Sequence, residues 1–163
     1  MIETPTFLCD EMLARLGRWL RAAGYDTAIA PSGSHDRSLV ELARRDGRWL
    51  ITRDRHMARF RNGDGRVVLL TANDTTGLAA ELGERFAVDW LHRPFSRCLD
   101  CNTPLQTATP SHTERLPPGK QGFAADAWYC PACDKVVWRG SHVRRMRHTL
   151  ENFDRGEWHI ARE

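Results

Sequence analysis

The sequence predicts an α/β fold: a parallel sheet flanked by helices, followed by a small four-cysteine zinc ribbon. Three observations predict it. Short apolar runs alternate with amphipathic stretches four times between residues 6 and 86, the order that builds a parallel sheet with helical crossovers. The character of the chain changes at Pro94, where turn-forming and polar residues take over. Four cysteines then stand as two pairs, Cys98/Cys101 and Cys130/Cys133, with 28 residues between the pairs.

The elements follow in order. Residues 6–10 read as a short buried strand ending in Asp10. From Glu11 to Ala23 the residues Leu13, Leu16, Leu20 and Ala23 fall on one helical stripe, and Gly24 stops it. Residues 25–30 form a second strand, and the loop 31–35 leads to Asp36. The next helix turns Leu39, Leu42 and Ala43 inward and ends at Gly47. Residues 48–52 form the third strand, and Asp54 opens a short helical turn carrying Met57 and Phe60. Gly63 and Gly65 bracket a loop before a fourth strand at 67–70, and residues 76–86 make an amphipathic helix. Short strands flank each cysteine pair, around a polar middle at 103–122. Residues 141–153 read as a strongly basic helix, with Arg144, Arg145, Arg147 and His148, and 154–163 as a loose end.

This divides the chain into 1–93 (the α/β domain), 94–140 (the ribbon) and 141–163 (a basic helix and tail). Hydrophobic content of 41% is that of a globular chain. No apolar run approaches the roughly 18 residues of a membrane span. The opening MIETPTFLCDEML lacks the basic and apolar regions of a signal peptide. The expectation is a cytoplasmic protein without membrane contact, its thiols kept reduced. Cys9, in an apolar run, reads as buried and inert.

Two CxxC pairs present four thiolates, the set a tetrahedral zinc ion takes, with redox dithiols or disulfides as the other readings. A closed shell of this kind is structural, so chemistry must lie elsewhere. Net charge is +3, and only Lys120 and Lys135 are lysines against 22 arginines. Arginine forks onto phosphate in a way lysine cannot, although a GC-rich genome also enriches it.

Asp10, Asp36 and Asp54 each follow a predicted strand and precede a helix. In a parallel sheet they converge at the carboxyl edge, where functional crevices lie. Glu11 can reach the same space. Crowded carboxylates repel unless a cation sits among them, and oxygen-rich clusters suit Mg²⁺ or Mn²⁺. For any one of these aspartates, helix capping explains the position without catalysis; three at matching places point to a site. Arg18, with Arg15 and Arg21, lies near Asp10, and Arg53 and Arg55 flank Asp54. They are candidates to hold phosphates, or else pair on a solvated face. The six tryptophans, Trp158 among them, read mostly as core, with one or two free to stack on bases.

The stretches Phe7-Leu8-Cys9-Asp10-Glu11-Met12-Leu13, Arg18-Trp19-Leu20-Arg21, Gly24-Tyr25-Asp26-Thr27 and Leu50-Ile51-Thr52-Arg53-Asp54-Arg55 resemble the Mut-7 C-terminal RNase domain family. So do Arg97-Cys98, Cys101-Asn102, Cys130-Pro131, Cys133 and Trp138-Arg139-Gly140-Ser141-His142. The resemblance implies a PIN-like nuclease domain joined to a zinc ribbon. It implies metal-dependent hydrolysis of single-stranded or structured RNA, leaving 5′-phosphate and 3′-hydroxyl ends. Asp10, Asp36 and Asp54 then become the metal-holding catalytic acids, with Glu11 accessory. Arg18, Arg53, Arg144 and Arg145 become RNA contacts. Related PIN-like sequences can carry an acid where this chain has His56. The competing expectation is a non-catalytic RNA-binding or adaptor protein, docking RNA or a protein partner through the ribbon.

Overall fold

The structure, a computed structural model, describes residues 3–60 and 66–156. The Gly63/Gly65 loop, Trp158 and the end of the tail lie outside the described residues. The first strands are β1 (Phe7–Cys9), β2 (Thr27–Ile29), β3 (Trp49–Thr52) and β4 (Val67–Leu69). They form one parallel sheet in the order β2-β1-β3-β4. The helices between them are α1 (Ala14–Ala23), α2 (Asp36–Arg45) and α3 (Arg55–Ala58), and α4 (Thr75–Phe86) follows β4.

Strand residues alternate between the two faces of the sheet, and that period sorts the core into two layers. Phe7, Cys9, Ile51 and Val68 face one side, packed with Leu16 and Leu20 of α1 and Leu78 and Leu82 of α4. Leu8, Leu50 and Val67 face the other, against Leu39 and Ala43 of α2 and Met57 of α3. The parallel α/β arrangement expected from the sequence is therefore present, with strand and helix bounds shifted by a few residues.

Two shifts have visible causes. The helix expected from Glu11 begins as a 3-10 turn at Glu11–Leu13, because the Asp10 side chain accepts the Leu13 amide. At the other end of α1, Gly24 sits at φ +101°, and a Cβ there would come 2.4 Å from the Arg93 carbonyl oxygen. Glycine is required both by the turn and by that close approach.

The second unit is an antiparallel sheet of β5 (Gln106–Thr107), β6 (Ala127–Cys130) and β7 (Lys135–Trp138), in that order. The polar middle holds a short helix, α5 (Pro110–Thr113), and a 3-10 turn at Gln121–Asp126. Its geometry is ordered by the His112 ring stacked on Tyr129, 3.7 Å between centroids, and by Arg115 paired with Asp134 at 2.7 Å.

The first cysteine pair is tied to the α/β unit through polar bonds that are mostly partly buried. Arg21, 6% exposed, donates to the carbonyls of Thr27, Leu99 and Asp100 at 2.8–2.9 Å. The Asn102 side chain accepts the Thr27 amide and donates to Asp26. Asp26 also receives Arg48 at 2.7 Å.

Helix α6 (Ser141–Asp154) then returns to α1 and α4. Leu150 and Phe153 are buried in the first core layer, and Phe153 meets Trp19 and Trp90 edge-on. Each such side chain contributes about 1.5–3 kcal/mol by leaving water. No helix among the described residues is long and apolar enough to cross a membrane.

Candidate active site and metal centre

In the order β2-β1-β3-β4 the chain leaves β1 in one direction first and the other later, so the switch point lies between β1 and β3. A crevice at the carboxyl ends of these strands is the usual ligand position in such sheets. Asp10 directly follows β1 and Asp54 lies two residues beyond β3, while Asp36 opens α2 after the loop from β2. Asp10, Glu11, Ser34, Asp36 and Asp54 all line one open cavity there, of about 130 Å³.

Capping and convergence coexist at this cavity. Asp10 is 4% exposed; one oxygen accepts the Leu13 amide at 3.3 Å and the other accepts the Thr52 hydroxyl. The same Thr52 hydroxyl accepts the Asp54 amide at 2.9 Å. Asp54 in turn caps α3 by accepting the His56 amide at 2.7 Å. Glu11 is held by the Ser32 hydroxyl at 2.6 Å and the Gly33 amide at 2.9 Å. Those two bonds, Ser32 first, hold its carboxyl below the usual range. Asp36 makes no hydrogen bond or ion pair within the described protein and lines the cavity at the start of α2.

These donors are all oxygen, the set a hard dication takes. Among the described residues only the four thiols of the ribbon bring three or more ligand atoms within 4.8 Å of one another; the carboxylates face one cavity at wider spacing. Mg²⁺ is usually held by one or two carboxylates with waters and substrate phosphates completing the shell, and an open cavity fits that habit.

Arg53 lies beside this cavity. It donates to Asn73 at 2.8 Å in a neighbouring groove of about 330 Å³ that Arg15 and the Asp74 cap of α4 also line. Met12, 69% exposed, borders both spaces. Arg18 points to the ribbon and pairs with Asp100 at 2.9 Å. Arg144 and Arg145 are exposed on α6. Sequence reasoning missed three residues. Thr52 and Ser32 position acids, and Asn102 joins the two units; the Thr-Arg-Asp stretch was the one local signal, for Thr52.

The four cysteine sulfurs fit a zinc ion. Cys98 and Cys133 are 3.9 Å apart, and Cys101 and Cys130 3.5 Å. Four thiolates about 2.3 Å from a tetrahedral centre stand about 3.8 Å apart. All four thiols are free of disulfides. Each knuckle closes with a left-handed residue after its second cysteine, Asn102 at φ 72° and Asp134 at φ 52°, the residue types that tolerate it. Burial opposes ionisation of Cys101, but its hydrogen bonds with Thr103 and the thiols of Cys133 and Cys130 bring it down to about 6. Zinc, when bound, would staple the two knuckles together and supply no catalysis.

Residues 5–150 match the family described as the Mut7-C RNAse domain. The chain belongs to this family. This Mut7-C chain is also 33% identical, over 99 residues, to "Exonuclease mut-7 homolog" of Homo sapiens. That stretch covers 58% of this chain and 11% of the human protein, so the Mut7-C chain matches about a tenth of that relative's length. No solved structure matches it.

Proposed function

We propose that this protein is a metal-dependent ribonuclease of PIN-like type. The observation that carries the reading is the gathering of Asp10, Glu11, Asp36 and Asp54 around one open cavity at the switch point of the sheet. The family name and the exonuclease relative support nuclease chemistry and an RNA substrate. Asp10, Asp36 and Asp54 would hold Mg²⁺ or Mn²⁺, which supplies charge neutralisation and water activation when bound. Thr52 fixes the Asp10 carboxylate and the entry to Asp54. Glu11, kept ionised by Ser32 and Gly33, adds negative charge at the mouth. Arg53, and Arg15 in the adjoining groove, are placed to hold phosphates on one side of the acids; Arg144 and Arg145 offer further anion contacts on α6. The zinc ribbon holds its part of the RNA-binding surface in place.

A second reading, RNA binding or adaptor docking without cleavage, is favoured by one observation: Asp10 and Asp54 already serve as caps. One experiment separates them. Labelled single-stranded RNA is incubated with the protein, with Mn²⁺ or Mg²⁺ and with chelator. The ribonuclease reading expects metal-dependent cleavage that Asp10→Asn and Asp54→Asn abolish. Cleavage indifferent to both substitutions would sink it, and salt-sensitive binding without turnover would favour the second.

A further inference from the structure

A second cavity lies away from the acids, where the ribbon, α1 and α6 meet. Its volume is about 180 Å³, and its walls are mainly apolar: Trp128, Val137, Trp138 and Val143. Apolar cavities of about 150 Å³ take up benzene-sized rings. Val137 is 38% exposed although it is large and apolar. Trp128 and Val137 stand opposite each other on β6 and β7, so they form one flat face of the ribbon. The Arg139 guanidinium lies over the Trp128 ring, 5.8 Å from its centroid.

The rim is cationic. Arg18, Arg97 and Lys135 line it, with Asp100 the one carboxylate of the lining; Arg97 is held from behind by Asp26 at 4.0 Å and the Asn102 carbonyl at 2.9 Å. Asp100 is shared between Arg18 at 2.9 Å and Lys135 at 2.8 Å, and both pairs are about half exposed, so they are weak in water. A phosphate can compete for either cation. His142 and Val143 of α6 complete the lining, and the exposed Arg144 and Arg145 continue the positive surface from there.

We infer that this cleft is a base-binding subsite for single-stranded RNA. One unpaired nucleobase lies on the Trp128/Val137 face, and its flanking phosphates meet Arg18 and Lys135. An aromatic platform set in a cationic groove is the arrangement that holds single strands without reading sequence. Charge decides the occupant: Arg18 and Lys135 share the single carboxylate of Asp100, so the rim keeps a net positive charge that an apolar peptide does not answer, while a nucleotide supplies a flat apolar ring and an anion together. The inference rests on the reading of RNA as the substrate. It adds an anchoring point remote from the acids, so that the strand is held at two places.

The test uses the full zinc-loaded chain and single-stranded oligouridine without added Mg²⁺ or Mn²⁺, so that binding is read with the acid site lacking its metal. Affinity is read by fluorescence anisotropy, for the oligomer and for an abasic oligomer of equal length and charge. Val137→Glu, at an exposed position, and Trp128→Leu should each weaken oligouridine binding about tenfold or more. Zinc content and melting temperature verify that each variant is folded. The abasic strand should bind the wild type as weakly as oligouridine binds the variants. Equal affinity for the two strands, or unchanged affinity in a folded Val137→Glu protein, would overturn the subsite. Addition of Mn²⁺ to the same oligouridine without any cleavage, base-dependent binding being intact, would sink the nuclease reading alone.

Discussion

Thr52, at the end of β3, donates its hydroxyl proton to the carboxylate of Asp10, at the end of β1. The contact crosses between two parallel neighbours at the switch point, and the same hydroxyl accepts the amide of Asp54. A single buried oxygen thus sets the separation of two of the cavity's acids.

Replacing Thr52 with valine keeps the shape and removes the hydroxyl. Asp10 loses a donor and the Asp54 amide loses an acceptor, at a cost of about 1–3 kcal/mol. Urea denaturation should show this loss for Thr52→Val and nearly full stability for Thr52→Ser. Cleavage should fall in the valine variant and recover in the serine one; equal activity in both would remove Thr52 from the site.

Asp36 offers a cleaner separation of folding from chemistry, since its side chain has no partner in the described protein. Asp36→Asn should change stability by no more than about 1 kcal/mol, the scale of its position at the start of α2. Cleavage should fall about 100-fold, the size of effect seen when support for a metal is lost. Thermal melts and initial rates measured side by side check both halves.

The ribbon should bind one zinc ion per chain, and Cys101→Ser or Cys130→Ser should lose it. Because Arg21 and Asn102 tie the first knuckle to α1 and β2, metal removal should lower the melting temperature of the α/β unit as well as the ribbon. Arg21→Ala should destabilise the zinc-loaded protein too, by about 1–3 kcal/mol, through the buried Thr27 carbonyl left without this donor. Elemental analysis with calorimetry, before and after chelation, tests both statements.

Asp26 gives a pH dependence of known sign. Burial pushes its carboxyl up, but hydrogen bonds from Arg48 and Asn102, with the charges of Arg48 and Arg97, bring it below the ordinary 3.8. A carboxyl lowered by folding contributes stability in full above its unfolded value and loses it as pH falls through the folded value. Stability of the wild type should therefore decline below about pH 4, and Asp26→Asn should flatten that limb while lowering stability at neutral pH. Melting curves from pH 2.5 to 7 read the difference.

Local pattern carried the α/β core and the metal knuckles. Phe7, Leu8 and Cys9 are apolar in succession because the strand is covered on both faces, and that reads directly from sequence. The CxxC pairs read equally well, since each closes within a few residues. Asp10, Asp36 and Asp54 were legible as a set because sheet topology alone gathers the ends of parallel strands. Their spacing and partners were not, since Thr52 reaches Asp10 across 42 positions. Arg18 and Arg21 look alike on the helix surface pattern, and only the folded knuckle shows both bound to it. In α6 the arginines dominate the sequence and hide the buried Leu150 and Phe153.

The return of α6 also has a consequence for biosynthesis. Phe153 packs against Trp19 and Trp90 in one layer, so early and late segments of the polypeptide share a single interior. A nascent chain emerging from the ribosome leaves these tryptophans uncovered until the last turn of α6 is out, well after both knuckles have been made. Both knuckles are synthesised before Phe153, so the stapled module can form before the layer around that ring closes.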